Sequence, residues 1–229
     1  VFGAGDFEKE GVALLQQLFQ KCDLLIMVGG SGLYAKALME GLDVFPKVDQ
    51  TSINIVSMLY QTEGLEGLQK ALAEKDPDYY QKVDLKNPHR LIRALEICET
   101  AQKPYSSFLG QSVKERFFKT QTLLLTRPRA ELYERINFRV EEMLKEGLEK
   151  EAQSLYLFRA LPALQTVGYS EWFDHFEGKL TPEATIAEIQ KNTRRYAKRQ
   201  LTWFQKAEST EVKAGEFKET LQQAIALIP

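Results

Sequence analysis

Apolar residues recur at helical spacing through most of the chain. Val12, Leu15, Leu18, Phe19 and Cys22 repeat at intervals of three and four or close to it, which predicts a helix over 7–22 with Asp6 as its N-cap. Leu24–Val28, an uninterrupted apolar stretch, then predicts a short buried strand running into Gly29 and Gly30. A helix over Leu33–Glu40 follows, closed by Gly41 at the position after the C-cap. Helix, strand, glycine turn and helix form a piece of a parallel α/β sheet.

From Pro46 to about Phe118 the pattern is helical and more polar, and Asp76-Pro77 and Asn87-Pro88 mark helix starts with proline at the tolerated first position. A second strand is expected over Thr120–Leu125, then an amphipathic helix over Ala130–Leu148 whose apolar face carries Leu132, Ile136, Val140, Met143 and Leu144. Further helices are expected over Pro182–Phe204 and 216–228. Two strands cannot satisfy the backbone of a buried parallel sheet, so the expectation is a chain that lacks strands on its N-terminal side.

The 229 residues are 44% apolar and 27% charged, as in an ordinary soluble domain. No apolar run is long enough to cross a bilayer and no signal-peptide pattern opens the chain, so no membrane association and a cytoplasmic address are expected. Cys22 and Cys98 sit in no metal or redox spacing and are expected to be buried thiols. With His89 and His175 the only histidines, no metal ligands are expected. The net charge of −2 argues against a general nucleic-acid binder, but its distribution does not. Five of the nine residues from Lys191 to Arg199 are basic, and Arg127, Arg129, Arg135 and Arg139 form a second group. Such stripes hold phosphate if they share one face; otherwise they are solvated helix surface.

Each candidate motif has a plain structural alternative. In Val28-Gly29-Gly30-Ser31-Gly32-Leu33-Tyr34 the glycines let backbone approach a ligand and Ser31 offers a hydroxyl, or the segment is a tight turn with Ser31 as cap. The P-loop pattern GxxxxGK[ST] occurs nowhere in the chain. Arg90 and Arg93 share a helix face, away from Leu91, Leu95 and Cys98, and suit phosphate or base edges; Glu96 is a competing partner. Leu164-Gln165-Thr166-Val167-Gly168-Tyr169 is a polar loop able to bind a base, or a packed turn. Lys191, Arg195, Lys198 and Arg199 are expected on one helical side, interleaved with Tyr196 and Trp203 as stacking surface, although Leu201, Trp203 and Phe204 can also be a buried face. No Ser–His–Asp, Cys–His or paired-carboxylate arrangement is visible.

Six blocks together carry a resemblance: Gly5-Asp6-Phe7-Glu8; Val28–Tyr34; Asn87-Pro88-His89-Arg90-Leu91-Ile92-Arg93-Ala94-Leu95-Glu96; Leu132-Tyr133-Glu134-Arg135-Ile136; Leu164–Tyr169; and Thr193–Phe204. In this order and spacing they resemble the tRNA dimethylallyltransferase (isopentenyltransferase) family, over about residues 3–206. The resemblance implies a partial P-loop-type parallel α/β sheet core over 1–45 and 119–229, with helical C-terminal parts, and a mainly helical insertion over 46–118. It implies transfer of a dimethylallyl group from dimethylallyl diphosphate to the exocyclic amine of an adenosine beside the tRNA anticodon, the base being flipped out to reach it.

Residue by residue, the resemblance marks Ser31, then His89, Arg90, Leu91, Ile92 and Arg93, then Gln165, Thr166, Val167, Gly168, Tyr169 and Ser170 as tRNA contacts. It marks Lys198, Arg199, Gln200, Leu201, Thr202, Trp203, Phe204 and Gln205 likewise. Arg135 and Arg139 are candidates for the diphosphate side. Magnesium is implied as cofactor, tRNA and dimethylallyl diphosphate as partners, and a monomer as the assembly. The family's P-loop and catalytic aspartate lie N-terminal to anything in these 229 residues, so the chain is expected to be an inactive fragment with its general base elsewhere. Ile53 stands where some members carry arginine, and the segment before Leu164 is short. Prenylation of free adenine nucleotides, a non-catalytic RNA-binding module and a nucleotide kinase are the alternatives; the last leaves the later blocks without a role.

Overall fold

A computed structural model describes residues 2–110 and 115–228. Its elements are α1 (Ala4–Leu18), α2 (Gly32–Met39), α3 (Gln50–Lys75), α4 (Pro77–Tyr80), α5 (Pro88–Ala101), β1 (Leu123–Thr126), α6 (Arg129–Lys145), α7 (Leu148–Leu155), α8 (Tyr169–Phe176), α9 (Pro182–Phe204), β2 (Thr210–Lys213) and α10 (Phe217–Ile225), with 3₁₀ turns between some of them. They fall into two compact units, residues 1–29 with 33–118, and residues 30–32 with 119–229.

In the first unit, helix α1 begins before the position its spacing suggests. Gly3 is the N-cap, and Asp6, expected there, is the third helical residue, its Oδ2 accepting the Gly3 N–H at 2.8 Å. The helix stops at Leu18, so Cys22 falls in the turn beyond it and is exposed, contrary to expectation. Leu24–Val28 forms no strand; Leu24, Ile26, Met27 and Val28 are exposed. Its backbone enters no ladder among the described residues, and hydropathy alone does not make a strand. Gly41 does close α2, with φ 89° and its N–H on the Ala37 carbonyl.

Helices α3 and α5 bury Val56, Leu68, Leu72, Leu91, Ala94 and Leu95 against one another. Both proline-marked helix starts are present, because a first-turn proline forfeits no helical hydrogen bond. Asp76, 1% exposed, caps α4 through the Tyr79 N–H and also accepts the Ser106 N–H and hydroxyl at 2.6 and 2.8 Å. Glu8 accepts from Arg116 Nη2 at 2.9 Å and from the Leu42 N–H at 3.2 Å, tying α1 to the segment after α2.

The second unit holds the parallel sheet, β1 beside β2 with Leu124 opposite Glu211 and Leu125 opposite Val212. The chain is therefore mixed α/β with a small parallel sheet, but the second strand is 210–213, which has one buried side chain, Val212, and no readable alternation. The helix expected over 130–148 breaks after Lys145, where Gly147 takes φ 103° and α7 restarts at Leu148. Ile136 and Val140 are buried as predicted, and Met143 and Leu144 pack on a core of Val140, Leu148, Ala152, Trp172, Phe173 and Ile189. Helix α9 starts and ends where its pattern predicts, capped by the Thr181 hydroxyl accepting the Ala184 N–H.

Candidate nucleic-acid interface

Ile189 anchors α9 in the core of the second unit, and the C-terminal half of the helix carries its charge outward. The five basic residues divide there. Lys191 pairs with Glu188 at 2.6 Å, and Arg194 donates to Asn137 Oδ1 at 2.7 Å while lying over the Tyr133 ring. Those two are engaged by neighbours, Lys191 on its own helix and Arg194 on α6. Arg195, Lys198 and Arg199, with Thr202, Trp203 and Lys206, line an open groove of about 450 Å³. No carboxylate among the described residues pairs with these four cations. Lys206 is a groove residue that the sequence motifs do not mark, although positions 195, 199, 202 and 206 repeat at helical spacing.

The same unit includes the Gly30–Gly32 loop. Gln200 Nε2 donates to the Gly30 carbonyl at 2.9 Å, and a Cβ added to Gly32 would overlap the Trp203 indole. These glycines are thus needed for α9 to approach, and they leave Ser31 exposed between two residues held by that helix. Trp203 remains 42% exposed, so its ring is available for stacking. Leu201 and Phe204 are half-buried, and Gln205 is exposed at the helix end. The Thr202 hydroxyl is occupied by the Lys198 carbonyl.

The Gln165–Ser170 segment is a turn stabilised from within. Gln165 Nε2 donates to the Arg159 carbonyl, the Ser170 N–H and hydroxyl return to the Thr166 carbonyl, and Val167 and Tyr169 pack on the core. Tyr169 also donates to Glu151 at 2.8 Å, which raises its phenol pKa. Gly168, at φ 103°, gives its N–H to the buried Glu171. Arg135 and Arg139 are exposed on α6 without an ion pair among the described residues. Arg127 and Arg129 are engaged, with Glu131 and with the Tyr133 hydroxyl.

In the first unit, His89, Arg90 and Arg93 line a second groove, about 400 Å³, with Tyr79, Asn87 and Tyr105. Arg90 is without an ion pair among the described residues, and Arg93 lies 3.9 Å from Glu96, at the limit of one. Leu91 is fully buried and Ile92 packs on the helical core, so they hold the arginines' helix in place. The two tyrosines are not legible in sequence, because one arrives from α4 and the other from the 3₁₀ turn after α5. Their rings lie 4.5 Å apart, and burial pushes the Tyr105 hydroxyl up to about 12 and that of Tyr79 upward as well. Among the described residues no three of His, Cys, Asp and Glu converge as a metal site, and no helix is long and apolar enough to cross a membrane.

Arg90, Arg195, Lys198 and Arg199, without carboxylate partners among the described residues, each line a groove that also holds an aromatic ring, a combination suited to an anion with stackable groups. The chain belongs to the IPP transferase family, whose model matches residues 1–207. It is 51% identical over 218 residues to a tRNA dimethylallyltransferase of Christiangramia forsetii, covering 95% of this chain and 72% of that protein. Its structure resembles a full-length tRNA isopentenylpyrophosphate transferase from Bacillus halodurans, with a TM-score of 0.64 at 31% identity, over 98% of this chain and 73% of the other. It also shares the fold of a eukaryotic dimethylallyltransferase acting on tRNA, with a TM-score of 0.77 at 24% identity, over 99% of this chain and 61% of the other.

Proposed function

We propose that this chain provides the tRNA-gripping part of a tRNA dimethylallyltransferase. The carrying observation is the α9 groove, where Arg195, Lys198, Arg199 and Lys206 surround Trp203 beside the Ser31 loop. Arg195 to Thr202 alone spans about 10 Å of helix, more than one phosphate occupies. This favours a polynucleotide over a free nucleotide. In the reaction the adenosine exocyclic nitrogen attacks the allylic carbon of dimethylallyl diphosphate. A carbon–nitrogen bond forms, the carbon–oxygen bond breaks, and diphosphate leaves with the electron pair. The amine proton passes to a base outside these residues.

Within that reading, the α9 cations neutralise flanking phosphates, Trp203 stacks, and Ser31 offers a hydroxyl to the substrate. The contacts of Gln165–Ser170 come from exposed edges of a rigid turn, and those of His89–Arg93 from His89, Arg90 and Arg93. Arg135 and Arg139 serve the diphosphate side. Residues 46–118 act as a helical insertion, supported by the hydrophobic core that α3 and α5 form by themselves. Magnesium supplies charge to the diphosphate when bound, but the described residues offer no cluster to hold it, so no step here runs through it. The protein acts as a monomer. Without a P-loop pattern, the 229 residues by themselves bind tRNA and do not turn over.

The test incubates the full-length natural protein with dimethylallyl diphosphate and unmodified tRNA, with AMP as competitor. A prenylated adenosine in tRNA, detected by mass spectrometry, is expected. Prenylated AMP instead would move the assignment to free nucleotides, and a folded protein giving neither would end it.

A further inference from the structure

Glu171 is buried at 6% exposure, although it belongs to none of the residues just assigned to tRNA. Its two carboxylate oxygens face different partners. Oε2 accepts the Gly168 N–H at 2.8 Å, inside the Gln165–Ser170 turn, and Oε1 accepts Asn192 Nδ2 on α9, also at 2.8 Å. A helix-capping role for α8 needs only the first of these bonds. The second orients the Asn192 amide so that its Oδ1 accepts from Arg195 Nη1 at 3.3 Å. Arg195 lines the α9 groove. A single acidic side chain therefore connects the turn to a groove cation through one amide.

We infer that Glu171 is a positioning residue for tRNA binding, setting both the Gly168 turn and, through Asn192, the Arg195 guanidinium; this rests on the tRNA reading of the groove. A carboxylate accepts only, so it takes both donors. The change Glu171→Gln leaves one acceptor oxygen and puts a donor amide in place of the other. That amide then draws the Asn192 oxygen inward and turns the Asn192 NH₂ toward the guanidinium, donor against donor. Adding Asn192→Asp restores the order. The introduced glutamine amide accepts from the Gly168 N–H through its oxygen and donates to the introduced carboxylate, whose second oxygen accepts from Arg195.

The experiment uses the full-length protein and measures tRNA affinity at several salt concentrations, KM for each substrate, and thermal stability. Glu171→Gln should weaken tRNA binding about tenfold. It should also flatten the log affinity against log salt slope by about one, as one phosphate contact loosens. KM for dimethylallyl diphosphate should hold, and Glu171→Gln with Asn192→Asp should recover thermal stability but not the affinity or slope, because the introduced carboxylate pairs with Arg195. If Glu171→Gln does not fold, Asn192→Ala should show the same flattened slope. Parent-like slope and affinity in the folded variants overturn the inference, as does a loss shared equally by both substrates. Failure of the parent itself to bind tRNA overturns instead the reading beneath it.

Discussion

The Gln200 side-chain amide donates to the Gly30 carbonyl oxygen at 2.9 Å, joining residues 170 positions apart. The contact makes the glycine turn and the basic helix one surface. Neither segment shows by itself that the other is its partner. The exposed Ser31 hydroxyl and the exposed Trp203 ring are presented together because the glycines have no side chains in the way.

Gly32→Ala should therefore be costly. Its Cβ would meet the Trp203 indole, which must move or push the loop away. A destabilisation of about 1–3 kcal/mol is expected from such overpacking, together with weaker tRNA binding. Gly29→Ala meets nothing within 4 Å and should stay within about 0.5 kcal/mol of the parent. Urea unfolding of the two variants makes the comparison; equal midpoints would show that the indole yields freely.

Lys198→Ala with Arg199→Ala removes two groove cations that no carboxylate among the described residues neutralises. The slope of log affinity for tRNA against log salt should fall by about two, with stability nearly unchanged. Gel-shift titration at three salt concentrations reads this directly. An unchanged slope would remove the groove from the RNA contact.

Tyr105 predicts an alkaline weakness. Burial raises its folded-state pKa to about 12, above its ordinary value of 10.0. The folded state keeps the proton while the unfolded chain loses it, so the stabilisation is complete below about pH 10 and declines as pH rises toward 12. Denaturation midpoints should drop across that window, and Tyr105→Phe should show a smaller drop. Tyr79, shifted in the same direction, leaves a residual slope in that variant.

The two thiols should separate kinetically. Cys22 is exposed, while Cys98 is 4% exposed and its thiol pKa is raised by burial, leaving little reactive thiolate. A thiol reagent at neutral pH should modify one cysteine quickly and the second only in denaturant. Rapid modification of both would contradict the packing of α5.

Much of the helical part is legible because several helices announce themselves locally. Thr181-Pro182, Asn87-Pro88 and Asp76-Pro77 provide caps and first turns, and the spacing of Ile136, Val140 and Leu144 describes one buried stripe. The strand pairing is not. Leu24–Val28 has the stronger hydropathy, yet Thr210–Lys213 is the segment that pairs with Leu123–Thr126. Pairing depends on what lies alongside, and local composition carries no information about that.

By itself, then, the amino-acid order determined the family blocks, the proline-marked helix starts and the basic character of the α9 face, all of which rest on spacing within a few turns. Tertiary structure decided which cations remain available. Arg194 is consumed by Asn137, 57 positions away, whereas Arg195, Lys198, Arg199 and Lys206 are left facing a groove. It also brought Tyr79 and Tyr105 to the Arg90 groove and placed Glu171 between the Gly168 turn and Asn192. The reason is physical: a charge or hydroxyl is free or spent according to neighbours distant in sequence, and only the folded chain supplies those neighbours.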